Sequence, residues 1–400
     1  MKEIYYRMYQ SVFRLISYLL PWKEPIVYSG EEATHQLIDH LVKRSNRRVL
    51  FVCDPTIIKL QLHQPLLKQL NDKGFHIEVF DRLQPNPTLA SIEDGANTFQ
   101  QENCDMMIAM GGGSAIDCAK GIGVKIARPK TPFSNMKGVI KVLKKIPYLV
   151  AIPTTAGTGS EATIATVVTD EVTHEKYAIS DPVLLPKVAV LNPQYTVSLP
   201  PFFTATTALD ALTHAIEAYI GRSNTQKTKE EAILAIQLIF EYLPVILEHP
   251  NDLKAREQLQ IAAYKAGRAF TRAYVGYIHA IAHTLGGQYS VPHGLANAIV
   301  MPVVLSYYGD SIVQPCADIA RAVFKGTANQ SDEALSQQLI RHIQYLNQLA
   351  DIPSTVVQLH CEDIDLLASR ALKEANPLYP VPKILHLNDL QNIYSSLLVK

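Results

Sequence analysis

Hydrophobic and polar positions follow two different periodicities along the chain. Between Pro25 and about Pro200, short apolar runs rich in β-branched residues alternate with longer amphipathic stretches. The runs are RVLFVCD, HIEVFDRL, DMMIAMGGG and YLVAIPTT, and TLASIEDGANTFQQEN is one intervening stretch. This alternation predicts parallel strands joined by crossover helices. The later segment TIATVVTDEVTHEKYAIS predicts two antiparallel strands around a polar turn.

After the Leu-Pro-Pro sequence at 199–201 the strand pattern ends, and helical periodicity broken by loops continues to the C-terminus. The predicted organisation is an α/β domain over residues 25–199 and an all-helical domain over residues 200–400. A chain of 400 residues is long for one hydrophobic core, which also favours two domains.

Residues 1–24 are predicted to form an amphipathic helix extension. Its apolar stripe comprises Ile4, Met8, Val12, Leu15, Ile16 and Leu19. Arg7 and Arg14 interrupt the stretch before Pro21, so it is too short and polar to span a bilayer, and no small-residue cleavage site follows. The stripe favours packing on the same protein or on a second subunit, and contact with a membrane surface is the less favoured alternative.

Composition and charge narrow the class of protein. Lysine plus arginine (37) equals aspartate plus glutamate (37), so the formal net charge is zero. A nucleic-acid partner is not expected, because phosphate binding usually requires a basic excess. No CxxC pair occurs, and the cysteines are read as reduced thiols of a cytoplasmic protein. They are Cys53, Cys104, Cys118, Cys316 and Cys361.

Two glycine- and hydroxyl-rich segments each follow a predicted strand. GGGSAIDCAK (111–120) opens a helix, whose N-terminal N–H groups and positive dipole end suit a phosphate. Alone this segment only moderately indicates nucleotide binding. It is not GxGxxG, and doubly wound domains commonly have glycine at such turns. PTTAGTGSEAT (153–163) strengthens the case, because its hydroxyls suit a diphosphate or a ribose.

Asp54 ends the first clear strand. A carboxylate at this position can accept hydrogen bonds from an adenosine ribose. A helix N-cap before Pro55 is an equally good interpretation of the same residue.

Four metal-capable side chains stand out in apolar or small surroundings. Asp210 and His214 are four residues apart in DALTHAIEAY, and His279 and His293 frame a segment that also holds His283. A spacing of four places two side chains on one helix face. Any lone histidine here is more simply a core or surface residue, but the whole set is hard to explain that way, because buried polar groups need partners.

These motifs, with their order and spacing, resemble the iron-containing (group III, metal-dependent) alcohol dehydrogenases. The resemblance spans about Pro25 to Val399 and includes PNPT (85–88) and LADIPSTV with a later ANP. It implies a nucleotide-binding α/β domain and an all-α domain, the dehydroquinate synthase-like architecture, with the active site in a cleft. Asn192 departs from the family, which often has aspartate there.

The resemblance also implies roles for individual residues. A metal would be bound by Asp210, His214, His279 and His293, whereas His283 would lie near the nicotinamide as a catalytic, non-ligating histidine. The cofactor NAD would contact Asp54, Asn86, Gly111, Gly112, Gly113, Ser114, Asp117, Thr154, Thr155, Thr158, Thr163 and Lys176.

One carboxylate and three imidazoles suit Fe(II), Zn(II), Co(II) or Ni(II). The resemblance favours Fe(II), with Zn(II) the main alternative. A Lewis acid at such a site would bind the oxygen of an alcohol or aldehyde during hydride transfer to or from NAD(H). The predicted activity is an NAD-dependent alcohol dehydrogenase, with small-molecule alcohols or aldehydes as substrates and a homo-oligomeric assembly.

Two other functions compete with this prediction. A dehydroquinate synthase-like lyase would need basic residues for a phosphorylated substrate, and none cluster around DALTH or HAIAH. A non-catalytic nucleotide- or metal-binding module would not need an intact ligand set with His283. The substrate is less defined: Phe270, Tyr274 and Tyr277 are predicted as a helical stripe before His279, either in the core or facing an apolar substrate.

Overall fold

The structure is a computed structural model that describes residues 2–19, 23–84, 86–172 and 175–399, without the side chains of Phe13 and residues 16–19. The predicted side-chain positions of Ile16 and Leu19, the helix end at Pro21, the start of PNPT at Pro85 and the turn at 173–174 lie outside this description. The chain divides into two compact units. One is Trp22–Leu199, and the other combines Met1–Pro21 with Pro200–Lys400.

The described helices and strands are as follows. The α-helices are α1 (Lys2–Leu19), α2 (Ala33–Val42), α3 (Pro55–Lys59), α4 (Gln64–Asp72), α5 (Leu89–Gln101), α6 (Gly113–Ala127), α7 (Pro201–Ile220), α8 (Gln226–Glu248), α9 (Leu253–Ala273), α10 (Tyr277–Tyr289), α11 (His293–Tyr308), α12 (Val313–Val323), α13 (Asp332–Leu349), α14 (Ile364–Ala375) and α15 (Leu387–Ser396). The strands are β1 (Ile26–Ser29), β2 (Arg48–Cys53), β3 (His76–Phe80), β4 (Met106–Gly111), β5 (Gly138–Val139), β6 (Tyr148–Pro153), β7 (Ala165–Asp170), β8 (Glu175–Ser180) and β9 (Val188–Leu191).

The main sheet of the Trp22–Leu199 unit is parallel, as the alternating pattern predicts. Its order is β1-β9-β6-β4-β2-β3, with all pairs parallel. Central strands are buried on both faces because crossover helices cover the sheet, which explains their continuous apolar runs. The antiparallel pair β7–β8 is also confirmed. The short strands β1, β5 and β9 are absent from the predicted set.

Strand order places a switch point between β2 and β4. From β2 the chain continues to β3 on one side, and from β4 it continues to β6 on the other. In open α/β sheets, ligands bind outside the carboxyl ends of the strands at such a point. Asp54 follows β2 and Gly111 ends β4, so both predicted cofactor residues lie at this crevice.

The second unit is helical in its Pro200–Lys400 part. Helix α7 is buried almost throughout its length and packs against α8, α9 and α11. A helix surrounded on all sides by apolar neighbours forms the centre of a core rather than its surface. Polar side chains on α7 therefore lie deep in the bundle, where they need partners.

Polar side chains of helix α1 contact the rest of the unit, and several of its apolar side chains face outward. Arg7 and Gln10 hydrogen-bond to the carbonyls of Val381, Pro382 and Tyr379, and Glu3 pairs with His386. The apolar positions of the stripe face outward, with 66% of Ile4, 64% of Met8, 59% of Val12 and 62% of Leu15 exposed. The expectation that the helix packs on its own protein holds for its polar side, whereas the four stripe residues with described side chains are mostly exposed.

Among the described residues, the stretch His293–Val323 is long and apolar enough to cross a membrane by length and composition. It is 61% buried within its most apolar window, and buried core helices of soluble proteins pass the same test.

Candidate metal centre and nucleotide-binding loops

Three helices of the second unit bring the predicted metal residues together. Asp210 and His214 share one face of α7, His279 lies in the first turn of α10, and His293 is the first residue of α11. One ligand atom from each lies within 4.8 Å of the others. Atoms that share a metal at about 2.1 Å stand about 3–4 Å apart. Oδ1 of Asp210 lies 3.3 Å from Nε2 of His293 and 3.8 Å from Nε2 of His279, so the spacing fits a shared ion.

Unsatisfied nitrogen atoms support that fit. Among the described residues, Nδ1 of His214 and Nε2 of His279 are buried without a hydrogen-bond partner. Burial lowers the pKa of both imidazoles well below the ordinary value. Neutral imidazole is the form that binds a metal, so the two rings are already in the binding state.

Close backbone approach allows His293 to join the cluster. A Cβ atom on Gly294 would lie 2.4 Å from the carbonyl oxygen of Thr206, so only glycine lets α11 approach α7 at this point. Phe270 closes another side by stacking on His214, with ring centroids 4.1 Å apart.

The predicted aromatic stripe is wrong as a single helix face. Helix α9 ends at Ala273, Tyr274 adopts φ +66°, and Tyr277 begins α10. Phe270 contacts the metal cluster, whereas Tyr277 is fully buried and hydrogen-bonded to Asn376. The helical spacing fails because the backbone reverses between the two helices.

Glu217 is a buried partner that the sequence analysis did not identify. Its Oε2 accepts hydrogen bonds from Nδ1 of His279 at 2.6 Å and from the Gly276 amide at 2.8 Å, and its Oε1 accepts from the Ile278 amide at 2.8 Å. Burial raises its pKa to about 8, against the effect of the two backbone amides. In its carboxylate form Glu217 holds the proton of His279 on Nδ1, which leaves Nε2 for the cluster.

Asn297 and Glu374 are further partners missed from the sequence. The amide nitrogen of Asn297 lies 2.7 Å from Oδ1 of Asp210. Nδ1 of His283 donates to Oε1 of Glu374 at 2.6 Å, and the Tyr379 hydroxyl donates to the same oxygen at 2.8 Å. Burial acts to raise the pKa of Glu374, but His283 and Tyr379 outweigh it, so the pKa lies below its ordinary value.

His283 lies beside the cluster and outside the group of candidate ligands. Its ring stacks on that of His293 at 5.2 Å and lies 6.0 Å from that of His279. Its side chain is 37% exposed, so it reaches solvent. The carboxylate of Glu374 holds its proton on Nδ1 and leaves Nε2 available as a base.

In the α/β unit, the two predicted loops meet at the end of the sheet. Gly111 has φ +153°, which favours glycine, and its carbonyl accepts from the Thr154 amide at 3.0 Å. The first N–H groups of α6 follow at Gly113 and Ser114, and α6 has Gly112 as its N-cap without a capping side chain. These N–H groups have no intrahelical partner and can donate to a phosphate.

Asp54 is a helix N-cap whose second carboxylate oxygen lies beside the glycine loop. Its Oδ1 caps α3 by accepting from the amides of Thr56 at 2.9 Å and Ile57 at 3.3 Å. Its Oδ2 would lie 3.1 Å from a Cβ on Gly111, so the second oxygen borders the glycine loop. The N-cap interpretation is therefore confirmed, and one carboxylate oxygen still faces the crevice.

The remaining predicted cofactor residues fall into two groups. At the rim, Nζ of Lys176 donates to Oδ1 of Asn86 at 2.6 Å, and the Asn86 amide donates to Oγ of Ser114 at 3.3 Å. In the second loop, Thr155 and Thr158 are partly exposed next to the first loop's glycines. All these residues lie near the carboxyl ends of β4 and β6 or on β8.

Asp117 and Thr163 instead belong to a network around the buried Lys120. Nζ of Lys120 donates to the carbonyls of Ser160 at 2.7 Å and Ala165 at 2.8 Å, and to Oγ1 of Thr163 at 2.9 Å. Asp117 accepts from Oγ of Ser160 at 2.7 Å. Burial lowers the pKa of Lys120 to about 8, against Asp117 and Glu161. The ammonium group thus ties α6 to the second loop.

Asn192 has a structural explanation. Its amide nitrogen donates to Oγ1 of Thr34 at 2.9 Å and to the Glu31 carbonyl at 3.2 Å, and its Oδ1 accepts from the Gln194 amide at 3.0 Å. Aspartate would not donate the first two bonds, so this chain uses the amide as an internal connector.

Comparison with known proteins assigns both units to the same family. A family described as iron-containing alcohol dehydrogenase matches residues 25–193, and the C-terminal family of Fe-containing alcohol dehydrogenases matches residues 204–398. The NAD-dependent methanol dehydrogenase of Bacillus methanolicus is 34% identical over 88% of this chain and 92% of its own length. The 1,3-propanediol dehydrogenase of Citrobacter freundii is 35% identical over 91% of this chain and 94% of its own length.

Solved structures show the same similarity. A 1,3-propanediol oxidoreductase superposes with a TM-score of 0.90 at 32% identity, covering 94% of this chain and 99% of the other. An alcohol dehydrogenase from Oenococcus oeni superposes with a TM-score of 0.90 at 29% identity and the same coverage. The predicted α/β unit followed by a helical region is confirmed.

Replacing Lys120 with methionine is expected to loosen the second loop. The change keeps the aliphatic bulk but leaves buried carbonyl and hydroxyl acceptors without their donor, which costs about 1–3 kcal/mol. Thermal unfolding should occur at lower temperature, and NADH binding measured by fluorescence should weaken. Lys125→Met, on the same helix but in a half-exposed pair with Glu93, is the matched control and should change neither strongly. Equal NADH affinity in both variants would exclude this role.

Replacing Glu217 with glutamine is expected to weaken metal retention without unfolding the protein. The glutamine NH2 cannot accept from a backbone amide and disturbs the His279 tautomer, and losing such outer contacts typically costs about 10–100-fold in metal affinity. Metal content after dialysis against a graded chelator measures the effect. Glu231→Gln breaks a pair with Arg268 in the same unit and should retain its metal.

Proposed function

This chain belongs to the iron-containing alcohol dehydrogenase family, and from that premise we propose that Asp210, His214, His279 and His293 bind its divalent metal. The family uses NAD and a divalent metal, and the chain is an oxidoreductase that transfers hydride between NAD(H) and an alcohol–aldehyde pair. The observation that carries the ligand assignment is that one ligand atom from each residue lies within 4.8 Å of the others, with Nε2 of His279 buried and without a partner among the described residues.

When bound, the metal supplies Lewis acidity to the substrate oxygen and NAD supplies the hydride acceptor. The chain's own residues prepare the surroundings. Glu217 holds the His279 tautomer, Asn297 donates to Asp210, and Phe270 shields one face of His214 from water. Fe(II) is the proposed ion, with Zn(II) as the alternative for the same donors.

We assign proton transfer to His283. As the alcohol is oxidised, its hydroxyl proton must leave while the hydride leaves carbon. The Nε2 atom of His283 is available as a base because Glu374 holds the proton on Nδ1. Partial exposure of the ring connects it with solvent, so the proton can pass outward.

For the cofactor, we assign the diphosphate to the two loops and the adenosine ribose to Asp54. The α6 N-terminus, with Gly112, Gly113 and Ser114, supports phosphate binding through its N–H groups. The free side of Asp54, near Gly111, supports hydrogen bonding to a ribose 2′-hydroxyl, which favours NAD over NADP.

Short primary alcohols or the matching aldehydes are the proposed substrates. Relatives carry the names methanol dehydrogenase, 1,3-propanediol dehydrogenase and 1-propanol dehydrogenase. Phe270, stacked at the cluster, supports apolar chains over polyols. NADH absorbance measured with a panel of primary alcohols, diols and metals tests this, and turnover independent of added or retained metal would contradict the function.

We also propose a homo-oligomer in the cytoplasm. Strand β1 lies at the edge of the sheet, and its Ile26 and Val27 are 47% and 38% exposed, which supports pairing with a second subunit. The described cysteines are all free thiols, which supports a reducing compartment.

Asp210→Ala and His293→Ala are expected to abolish metal retention and turnover while the fold persists. Each removes one donor from the set, and the loss should exceed the about 10–100-fold typical of outer contacts. Elemental analysis of the purified variants and circular dichroism are the measurements. His360→Ala, an exposed histidine outside the cluster, is the control. Full metal content with normal activity would remove that residue from the ligand set.

Asp54→Gly and Asp54→Asn are expected to improve the use of NADPH relative to NADH by about 10-fold or more. Both remove a negative charge that would face the 2′-phosphate, and tenfold corresponds to only about 1.4 kcal/mol. Asparagine preserves the helix cap and glycine weakens it by only a few tenths of a kcal/mol, so stability should change little. The ratio of kcat/KM for the two cofactors measures the change, and a wild-type preference for NADPH would contradict the assignment.

His283→Ala is expected to retain its metal, lower kcat by about 10²–10⁴-fold and alter the pH dependence of kcat. Parallel elemental analysis separates this from ligand loss. If metal disappears together with activity, His283 is a ligand; if rate and pH profile are both unchanged, the proton leaves by another route.

A further inference from the structure

The segment Tyr379–Pro382 lies between α14 and α15 without regular secondary structure. Tyr379, Pro380 and Val381 are buried, and the two prolines have no amide hydrogen to offer. Buried carbonyls outside helices and strands must find donors elsewhere. The source of those donors decides what holds this segment in place.

Helix α1 supplies three side-chain hydrogen bonds to this segment. Gln10, itself 4% exposed, donates to the Tyr379 carbonyl at 2.7 Å. Arg7 donates from Nη1 to the Val381 carbonyl at 2.7 Å and from Nη2 to the Pro382 carbonyl at 3.1 Å. Nη1 of Arg7 also donates to Oε1 of Gln10 at 2.9 Å, which orients the amide.

The remaining carbonyl of the segment, that of Pro380, accepts from the Arg222 amide at 2.6 Å. The Val381 and Pro382 carbonyls therefore depend on Arg7, and the Tyr379 carbonyl is shared between Gln10 and the Val381 amide, which donates at 2.8 Å. The family match begins at residue 25, so α1 lies outside it. Contacts with the segment come from an element that the matched region does not include.

The segment is connected to His283 through Glu374. The Tyr379 hydroxyl donates to Oε1 of Glu374 at 2.8 Å, and the same oxygen accepts from Nδ1 of His283 at 2.6 Å. The Tyr379 ring is fixed from its backbone side by Gln10 and lies 6.2 Å from the Tyr274 ring. A shift of the Tyr379 backbone would therefore move a donor away from the carboxylate that orients His283.

We propose that α1 is a positioning element for the active site: Arg7 and Gln10 fix the Tyr379–Pro382 segment, and through Tyr379 and Glu374 they fix the orientation of His283. The inference rests on the proposed role of His283 in proton transfer. Arg7 and Gln10 are positioning residues, since neither contacts the candidate metal ligands.

The outward face of α1 is consistent with this role. Ile4, Met8, Val12 and Leu15 are mostly exposed, so burial of these four side chains does not hold the helix on the protein. Directional hydrogen bonds from Arg7 and Gln10 define its position instead, joined by an exposed ion pair between Glu3 and His386 at 2.9 Å. Such bonds set the register of the helix against the segment more closely than an apolar face would.

The test uses the full-length, metal-loaded enzyme with Arg7→Met and Gln10→Leu. Met8→Ala is the matched control, because Met8 lies between them on the same helix with 64% of its surface exposed. Metal content and KM for NAD should be unchanged in all variants. kcat should fall roughly 10-fold in Arg7→Met and Gln10→Leu, since small displacements of a catalytic group can cost up to about 10²-fold.

Two readouts separate positioning from general stability. The pH profile of kcat should move in the same direction as in Glu374→Gln and Tyr379→Phe, where α1 is intact. Amide hydrogen exchange over residues 376–385 should quicken in Arg7→Met and Gln10→Leu but not in Met8→Ala. If α1 variants match Met8→Ala in kcat, pH profile and exchange, the inference is wrong.

A double-mutant comparison tests whether Arg7 acts through His283. Arg7→Met should lower kcat in the wild-type background and have no further effect on kcat in the His283→Ala background. An equal loss in both backgrounds would show that α1 acts elsewhere and would overturn the inference. If His283→Ala alone leaves rate and pH profile unchanged, the proposed function of His283 fails first, and the positioning role fails with it.

Discussion

Nδ1 of His214 and Nε2 of His279 lie buried in the helical unit, with no hydrogen-bond partner among the described residues. Each such atom costs about 1–3 kcal/mol when it has been removed from water without compensation. Their pKa values are lowered by burial, so protonation does not relieve the cost. A cation shared with Asp210 and His293 would satisfy Nε2 of His279, which lies 3.8 Å from Oδ1 of Asp210. A ligand that binds only the folded state also stabilises that state.

The surrounding residues maintain this arrangement. Glu217 cannot serve as a further ligand while it accepts two backbone amides and Nδ1 of His279, and so it acts on the imidazole instead. Lys120 plays a similar part in the α/β unit. Its buried ammonium group donates hydrogen bonds to oxygen atoms in and just after the second loop. In both units a buried titratable side chain sets the positions of atoms that face a ligand, and several fixed polar partners surround it.

The sequence predicts local features well because their geometry is contained in short spacings. Asp210 and His214 lie on one helix face by the four-residue rule, and Glu217, three residues further, could have been found by extending the same face. Lys120 ends the GGGSAIDCAK motif, but the sequence does not predict its role. Lysine is usually exposed, and only the fold shows that this one is buried. Glu374 carries no local signal, since it meets His283 across 91 positions of sequence.

Other departures have equally specific causes. The aromatic stripe failed because the backbone turns at Tyr274, which a residue spacing cannot reveal. The short strand β9 was missed because its four residues give too little pattern to distinguish it from a loop. For α1 the pattern correctly indicated an amphipathic helix, but the rule that the apolar side faces the protein did not apply.

That exception has a physical reason. The Tyr379–Pro382 segment presents carbonyl oxygens to α1, so a helix that docks there must present donors to them. Arg7 suits this demand because one planar guanidinium group can donate to two adjacent carbonyls at once. An apolar side chain at that position would leave those carbonyls unpaired, whereas the apolar side chains on the outer face have no such constraint. The orientation of α1 is thus determined by the need of the segment's carbonyls for hydrogen-bond donors. The hydrophobic pattern along the helix alone could not predict it.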